Sequence, residues 1–234
     1  MASKRGSMDK IAIFYHLFQA PTWEMMYNDQ MSILIDTGLM DAAEFVHVGI
    51  NGSTDPVYKN RKIQHHFNPN PEREETDTLR SLLEFSQNND GYKILYFHTK
   101  GISYSSAAFS APNPVVKCIY DWRKMMEYYA IKHWKDCVSI LDRFDAVGPL
   151  LRPAPRLHYS GGYWWSKPEY IRTLDHGLLD TPDRYDREFW IGSGPGMYAN
   201  LHESGIVHYH SEYPESAWSP IPLELLAGEP SNGN

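Results

Sequence analysis

In "ILYFHTKG" (94–101) an apolar run ends abruptly in His98, Thr99, Lys100 and Gly101. Lys100 offers a positive charge and Thr99 a hydroxyl. His98 can donate, accept or ligate a metal, and Gly101 lets the backbone approach a ligand closely. That set suits a pyrophosphate or a sugar hydroxyl, and equally a polar loop after a strand. "DWR" puts Asp121 and Arg123 on either side of Trp122, an arrangement also expected of a solvated helix face with one packed indole. "HYSGGYWW" (158–165) sets Ser160, Gly161 and Gly162 before Tyr163 and Trp164. Open backbone N–H groups beside an aromatic wall make a sugar cleft, or a β-bulge over core aromatics. "DRYDREFW" (183–190) gathers Asp183, Arg184, Asp186, Arg187 and Glu188. Near a cleft such carboxylates serve as base, hydroxyl anchor or metal ligand; elsewhere they form a charged helix start with surface pairs worth little. "HYH" (208–210) ends an apolar run, and strand alternation points His208 and His210 to one face. Two such histidines are a weak metal pair or ordinary surface residues.

These residues need elements to hold them. "KIAIFYHL" (10–17), 43–52, 61–67 and 93–98 read as strands, as do 145–152, 157–159 and 205–210. Helical spacing follows the first strand and ends at Gly38, and a second helix starts at Thr76 or Asp77. Apolar residues at steps of three or four across 115–144 predict one long amphipathic helix, and Pro168 opens a further one. The small-residue loop that follows Gly101 is long enough to be a lid. Strands alternating with helices imply a single α/β domain, its central sheet mostly parallel and flanked by helices. Ligands of such sheets bind beyond the carboxyl ends of the strands. The HTKG stretch sits at one such end and His16 at another.

Composition bounds the rest. A hydrophobic fraction of 42% with 22% charged residues is that of a globular domain with a sizeable core. The formal charge of -7 argues against a nucleic-acid partner, which wants a basic face. No apolar run approaches the roughly 20 residues that span a bilayer, and no signal-type apolar segment follows the N-terminus, so no membrane span and a cytoplasmic location are expected. Cys118 and Cys137 match no metal spacing and are expected to be reduced core thiols. Residues 1–8, with the "GSM" scar of an appended tag, are expected to lie outside the fold, 9–213 to form the domain, and 214–234 a peripheral Pro/Ser-rich tail. GxGxxG, GxxxxGK[ST] and GxSxG are all absent, which lowers Rossmann dehydrogenase, P-loop and α/β-hydrolase readings.

Taken in order, "YFHTKG", "DWRKMMEYYAIKHWKDCVSILDRFDAVG", "HYSGGYWWSKPEYIRTL" and "REFWIGS" resemble a group of glycosyltransferases of bacterial, viral and phage surface-polysaccharide biosynthesis. The likeness covers about residues 10–210. It implies a GT-A-like, Rossmann-like domain that moves a sugar from a nucleotide-sugar donor to a hydroxyl of a glycan or polysaccharide acceptor. His98, Thr99, Lys100, Gly101, Asp121, Arg123, Ser160, Gly161, Gly162, Tyr163 and Trp164 would then bind donor or substrate, with His208 in reserve for the diphosphate. Glu188, or failing it Asp186, would take the acceptor proton if the reaction inverts. A retaining reaction would need an oxocarbenium-like state stabilised instead. Two departures stand out. Enzymes of this fold carry a DxD motif holding Mn or Mg on the diphosphate, whereas this strand ends in HTKG, where Lys100 could supply the charge. No metal ligand is assigned, and a divalent cation stays open. The group's Asn after Ser-Gly is Gly162 here. The alternatives are a non-catalytic glycan- or nucleotide-sugar-binding module, and a metal-dependent nucleotide-processing hydrolase that would use His208 and His210.

Overall fold

The computed structural model describes residues 9–68, 71–102, 114–219 and 226–227. Residues 1–8, most of the expected lid and most of the C-terminal tail lie outside them. The first strand, β1 (Lys10–Phe18), is buried along nearly its whole length, as a central strand covered on both faces must be. Its residues divide by parity. Ile11, Ile13, Tyr15 and Leu17 enter one apolar cluster, and Ala12 and Phe14 enter the other. Helices α1 (Trp23–Asp36) and α2 (Leu39–Ala42) lead to β2 (Ala43–Asn51) and β3 (Ile63–Asn68). Helix α3 (Thr76–Asn88) then leads into β4 (Tyr92–His98).

After β4 come α4 (Pro114–Glu127), a π-helical turn (Tyr128–Lys132) and α5 (Trp134–Ile140). The remaining elements are short. They are β5 (Ala146–Gly148), β6 (Leu151–Arg152), β7 (His158–Tyr159), β8 (Trp164–Ser166), α6 (Pro168–Ile171), α7 (Tyr185–Trp190), β9 (Tyr198–Asn200) and β10 (Leu226–Ala227). The main sheet runs β10-β9-β5-β8-β4-β1-β2-β3. The β3-β2-β1-β4 half is parallel, β8 is antiparallel to both β4 and β5, and β9 runs parallel to β5. The expected α/β sheet flanked by helices is present. Among the described residues no helix is long and apolar enough to cross a membrane.

Three expectations need correcting. The single helix over 115–144 is interrupted at Tyr128–Lys132. There the helix widens, His133 N–H reaches back to Tyr128 O, and Ala130 O accepts the Trp165 indole N–H at 2.8 Å. The side chain of β8 thus takes a carbonyl that a regular helix would use. The expected strand at 145–152 breaks between β5 and β6, where Leu150 has φ 58. The strand expected at 205–210 does not form; the nearest one, β9, ends at Asn200. Residues 207–211 form a turn closed by His210 N–H to Val207 O at 2.9 Å.

Cys118 and Cys137 are buried free thiols. The start of the tail is not peripheral. Trp218 is 4% exposed, its ring lies 5.0 Å from that of Tyr128, and its indole donates to Tyr213 O at 2.9 Å. Trp218→Ala should therefore lower unfolding free energy by about 3 kcal/mol. A urea titration checks this; a loss under roughly 0.5 kcal/mol would show that the segment lies outside the cooperative unit.

Candidate functional site

Chain order creates the site. From β1 the chain turns one way to β2 and β3, then crosses to the other side of β1 for β4. The two crossovers leave on opposite faces, so the carboxyl ends of β1 and β4 flank a crevice at the switch point. The last residues paired across those strands are His16 and His98. Two imidazoles thus stand side by side where a ligand of such a sheet would lie.

Each ring is held. His98 Nε2 lies 2.8 Å from Gly161 O. A carbonyl only accepts, so the proton is on Nε2 and Nδ1 keeps its lone pair. Burial, with the neighbouring Lys100 charge, brings the His98 pKa down to about 4. His16 Nδ1 meets Thr78 Oγ1 at 3.0 Å, and burial together with His98 brings its pKa down to about 3. Both rings are neutral at pH 7.

Lys100 is 8% exposed and sits 4.2 Å from the Trp122 ring centre, a cation–π contact that steadies the ammonium. Gly101 follows with φ +81, and a Cβ there would come 2.2 Å from Ile119 Cγ2, so only glycine lets the chain turn against α4. Gly162 has φ +71, and its Cβ would press to 2.9 Å from His98 Nε2. Glycine at this position thus leaves the imidazole room.

The other sequence candidates divide. Glu188 is half-buried and near enough to His98, Tyr96 and Tyr209 to perturb their protonation. Asp186 is withdrawn: it pairs with Arg156, and hydrogen bonds from Thr181 and Arg156 hold its carboxyl below the usual range. Thr99 is a clasp, accepting from Phe18 N–H at 3.0 Å while its own N–H donates to His16 O. Asp121 takes Lys117 at 2.8 Å and Tyr213 N–H at 3.2 Å, tying the C-terminal segment to α4.

Arg123 is buried between Asp29 at 2.9 Å and Glu127 at 3.1 Å. Tyr163 is fully buried and donates to His98 O at 2.9 Å, bracing β4 from behind. Trp164 stacks under Tyr96 at 4.9 Å on the α3 side of the sheet. Ser160 is half-buried, with its N–H on Leu150 O. His208 stacks behind Trp122 at 5.1 Å and bonds Ser204 Oγ at 2.8 Å, while His210 is exposed, so the two do not form a pair. Among the described residues no three His, Cys, Asp or Glu side chains gather where a metal ion could be held.

The fold adds residues that sequence reading passed over. Helix α3 runs back against the strands, so its N-terminus arrives at the mouth. It brings Glu75, whose carboxylate accepts the Tyr96 hydroxyl. Burial raises the Glu75 carboxyl above its usual range, against the Tyr96 hydrogen bond and the charges of Lys100, Arg187 and Arg184. Strand parity could have found Tyr96, two residues before His98 on the same face. Beyond Thr78 a cavity of about 230 Å³ continues along the ends of β2 and β3, lined by His47, Asn51, His66, Asp77 and Ser81. The His47 and His66 rings stack there at 4.1 Å. A larger cavity of about 530 Å³ lies at the opposite, amino-terminal edge. Both of its lysines are paired internally, Lys93 with Asp142 at 2.9 Å and Lys167 with Asp145 at 3.1 Å, and it contains none of the candidate residues above.

Residues 14–178 match a family model described as Domain of unknown function (DUF8361), and the chain belongs to that family. Comparison with curated proteins gives no match. Among solved structures the chain is similar to the bifunctional IspDF from Campylobacter jejuni, with 11% identity and a TM-score of 0.41. That likeness covers 93% of this chain and 55% of that one, so this chain spans about half its length.

Two outcomes follow from the electrostatics. Arg123→Met should cost about 3 kcal/mol in a denaturant titration, because Glu127 and Asp29 lose a buried cation. The second is acid sensitivity. The pKa is brought down to about 3 at His47 and to about 4 at His208, in each case chiefly by burial, as at His16 and His98. Below the unfolded value of 6.5 the unfolded chain binds protons that the native state refuses. Stability should thus be fullest above 6.5 and drain away as pH falls towards 4. His47→Phe keeps the ring stack and removes one titrating group. Its stability should fall less steeply between pH 6 and pH 4, by about 1.4 kcal/mol per pH unit; an unchanged slope would refute this.

Proposed function

We propose that this member of the DUF8361 family is a glycosyltransferase on a GT-A-like domain. In this reading it moves a sugar from a nucleotide-sugar donor to a hydroxyl of a glycan or polysaccharide acceptor. The observation that carries the reading is the juxtaposition at the switch point. Two neutral imidazoles lie on adjacent strand ends, with a nearly buried ammonium braced on an indole beside them. A nucleotide-sugar is long, with a planar base at one end, a doubly charged middle and a sugar rich in hydroxyls. The mouth varies along its length in the same order.

The nucleoside takes the cavity beside His47, His66 and Asn51, where ring stacking and amide hydrogen bonds suit a base. The diphosphate lies at Lys100 with Arg184 and Arg187 nearby, since charge-assisted contacts to phosphate are the strong ones. The strand end offers an imidazole, a hydroxyl and an ammonium but no carboxylate. That donor set does not fit a divalent cation, and the positive charge in this reading comes from the protein. His98 Nδ1, unprotonated, accepts from a hydroxyl of the transferred sugar. Tyr185 and Tyr209, exposed at the rim near Glu188, give an acceptor ring two aromatic faces.

Binding is the direct test. Uridine, thymidine, guanosine and cytidine diphosphates are added in turn, and one of them should raise the melting temperature in proportion to the logarithm of its concentration. Lys100→Ala should weaken that nucleotide about tenfold or more, the worth of one charged contact, while leaving the unliganded melt unchanged within a few degrees. No shift with any of the four would exclude the donor. Binding without release of nucleoside diphosphate from the matching nucleotide-sugar would favour a non-catalytic binding module.

A further inference from the structure

We infer that Glu75 takes the proton from the acceptor hydroxyl and that Tyr96 positions its carboxylate for that step. The inference rests on the glycosyl-transfer reading above and names the residue that would run its chemistry.

The argument is one of geometry. A general base must be held at the mouth, keep one oxygen for the acceptor and avoid a permanent ion pair. Glu75 meets all three. It lies at the N-terminus of α3, which the crossover into β4 delivers to the carboxyl edge of the sheet. Oε2 accepts the Tyr96 hydroxyl, and Tyr96 is 2% exposed and stacked on Trp164 at 4.9 Å, so the carboxylate has a fixed partner. Oε1 makes no hydrogen bond among the described residues, and the side chain stays half-buried. The cations around it, Lys100, Arg184 and Arg187, act on it through space, and among the described residues Glu75 forms no ion pair. Burial raises the affinity of this carboxyl for a proton, which favours accepting one.

The rival carboxylates fit less well. Asp186 is committed to Arg156. Glu188 faces the mouth, but among the described residues no hydrogen bond fixes its rotamer. A base held in one place contributes more than one that must be ordered during the reaction.

The step balances. The acceptor O–H bond breaks and its proton passes to Glu75 Oε1. The acceptor oxygen forms a bond to the anomeric carbon. The bond from that carbon to the diphosphate oxygen breaks, and its electron pair leaves with the nucleoside diphosphate. The product has inverted configuration.

The test uses the full chain and the nucleotide-sugar carrying whichever of the four nucleotides binds. Release of nucleoside diphosphate is followed with water and then with azide, a nucleophile that has no proton to lose. Glu75→Gln and Glu75→Ala should bind the nucleotide within about threefold of wild type and turn over with water roughly 10²–10⁴-fold more slowly. Azide should return Glu75→Ala to within about tenfold of the wild-type rate and give the inverted glycosyl azide. Tyr96→Phe should move the acidic limb of the pH–rate profile rather than abolish turnover.

Glu75→Gln turning over at the wild-type rate would overturn the inference. So would a silent Glu75→Ala that binds nucleotide but ignores azide. Wild-type protein that binds but turns over with neither nucleophile overturns it too, while leaving donor recognition standing. Absence of nucleotide binding by the wild type removes the glycosyl-transfer reading itself, before any variant is made.

Discussion

The amide of Gln30 is fully buried and meets four partners from different parts of the chain. It accepts from Tyr15 Oη at 2.7 Å and donates towards Tyr163 Oη at 2.7 Å, Glu127 Oε1 at 3.2 Å and His98 O at 3.4 Å. Those groups belong to β1, the glycine turn before β8, α4 and the end of β4. A buried amide left unpaired costs roughly 1–3 kcal/mol, so these elements are held in one mutual arrangement. Arg123 and Lys124 extend the network to Asp29 on α1 and balance the charge of Glu127. The crevice on the other face of the sheet inherits that rigidity. His98 is fixed by its own carbonyl from one side and by Gly161 from the other.

The two faces of the sheet therefore do different work. One holds the Gln30 network and the larger apolar cluster with α1 and α4. The other holds α3 and α7, and the groups of the candidate site line its carboxyl edge. Residues two apart on β4 show the division. Ile94, Tyr96 and His98 lie on the α3 side, while Leu95 and Phe97 enter the opposite core. Lys100, past the strand end, is free of that parity and crosses to rest on Trp122.

The same burial sets the electrostatics of the mouth. Desolvation keeps His16 and His98 neutral and lifts the Glu75 carboxyl. Neutral imidazoles accept hydrogen bonds from hydroxyls, and ammonium or guanidinium groups attract anions. The combination favours a ligand that carries both kinds of group. Burial also makes the fold acid-sensitive, because each neutral histidine resists a proton that the unfolded chain accepts.

Much of the scaffold was legible in sequence. The apolar runs of β1, β2 and β4 mark strands covered on both faces, the alternation with helices marks an α/β sheet, and the polar HTKG after a buried run marks a strand mouth. These features are local, and periodicity and turn chemistry determine them over a few residues. Tertiary structure alone decided which charged groups lie at the mouth and which hold the frame. Arg123 and Asp121 read as ligand contacts but pair within the protein, and Asp186 turns away to Arg156. Glu75, one of several acidic residues before a helix, reaches the mouth only because the α3 crossover sets it against Tyr96. The reason is physical. A side chain's type determines what it can do, but the partner it meets depends on contacts between residues far apart in the chain.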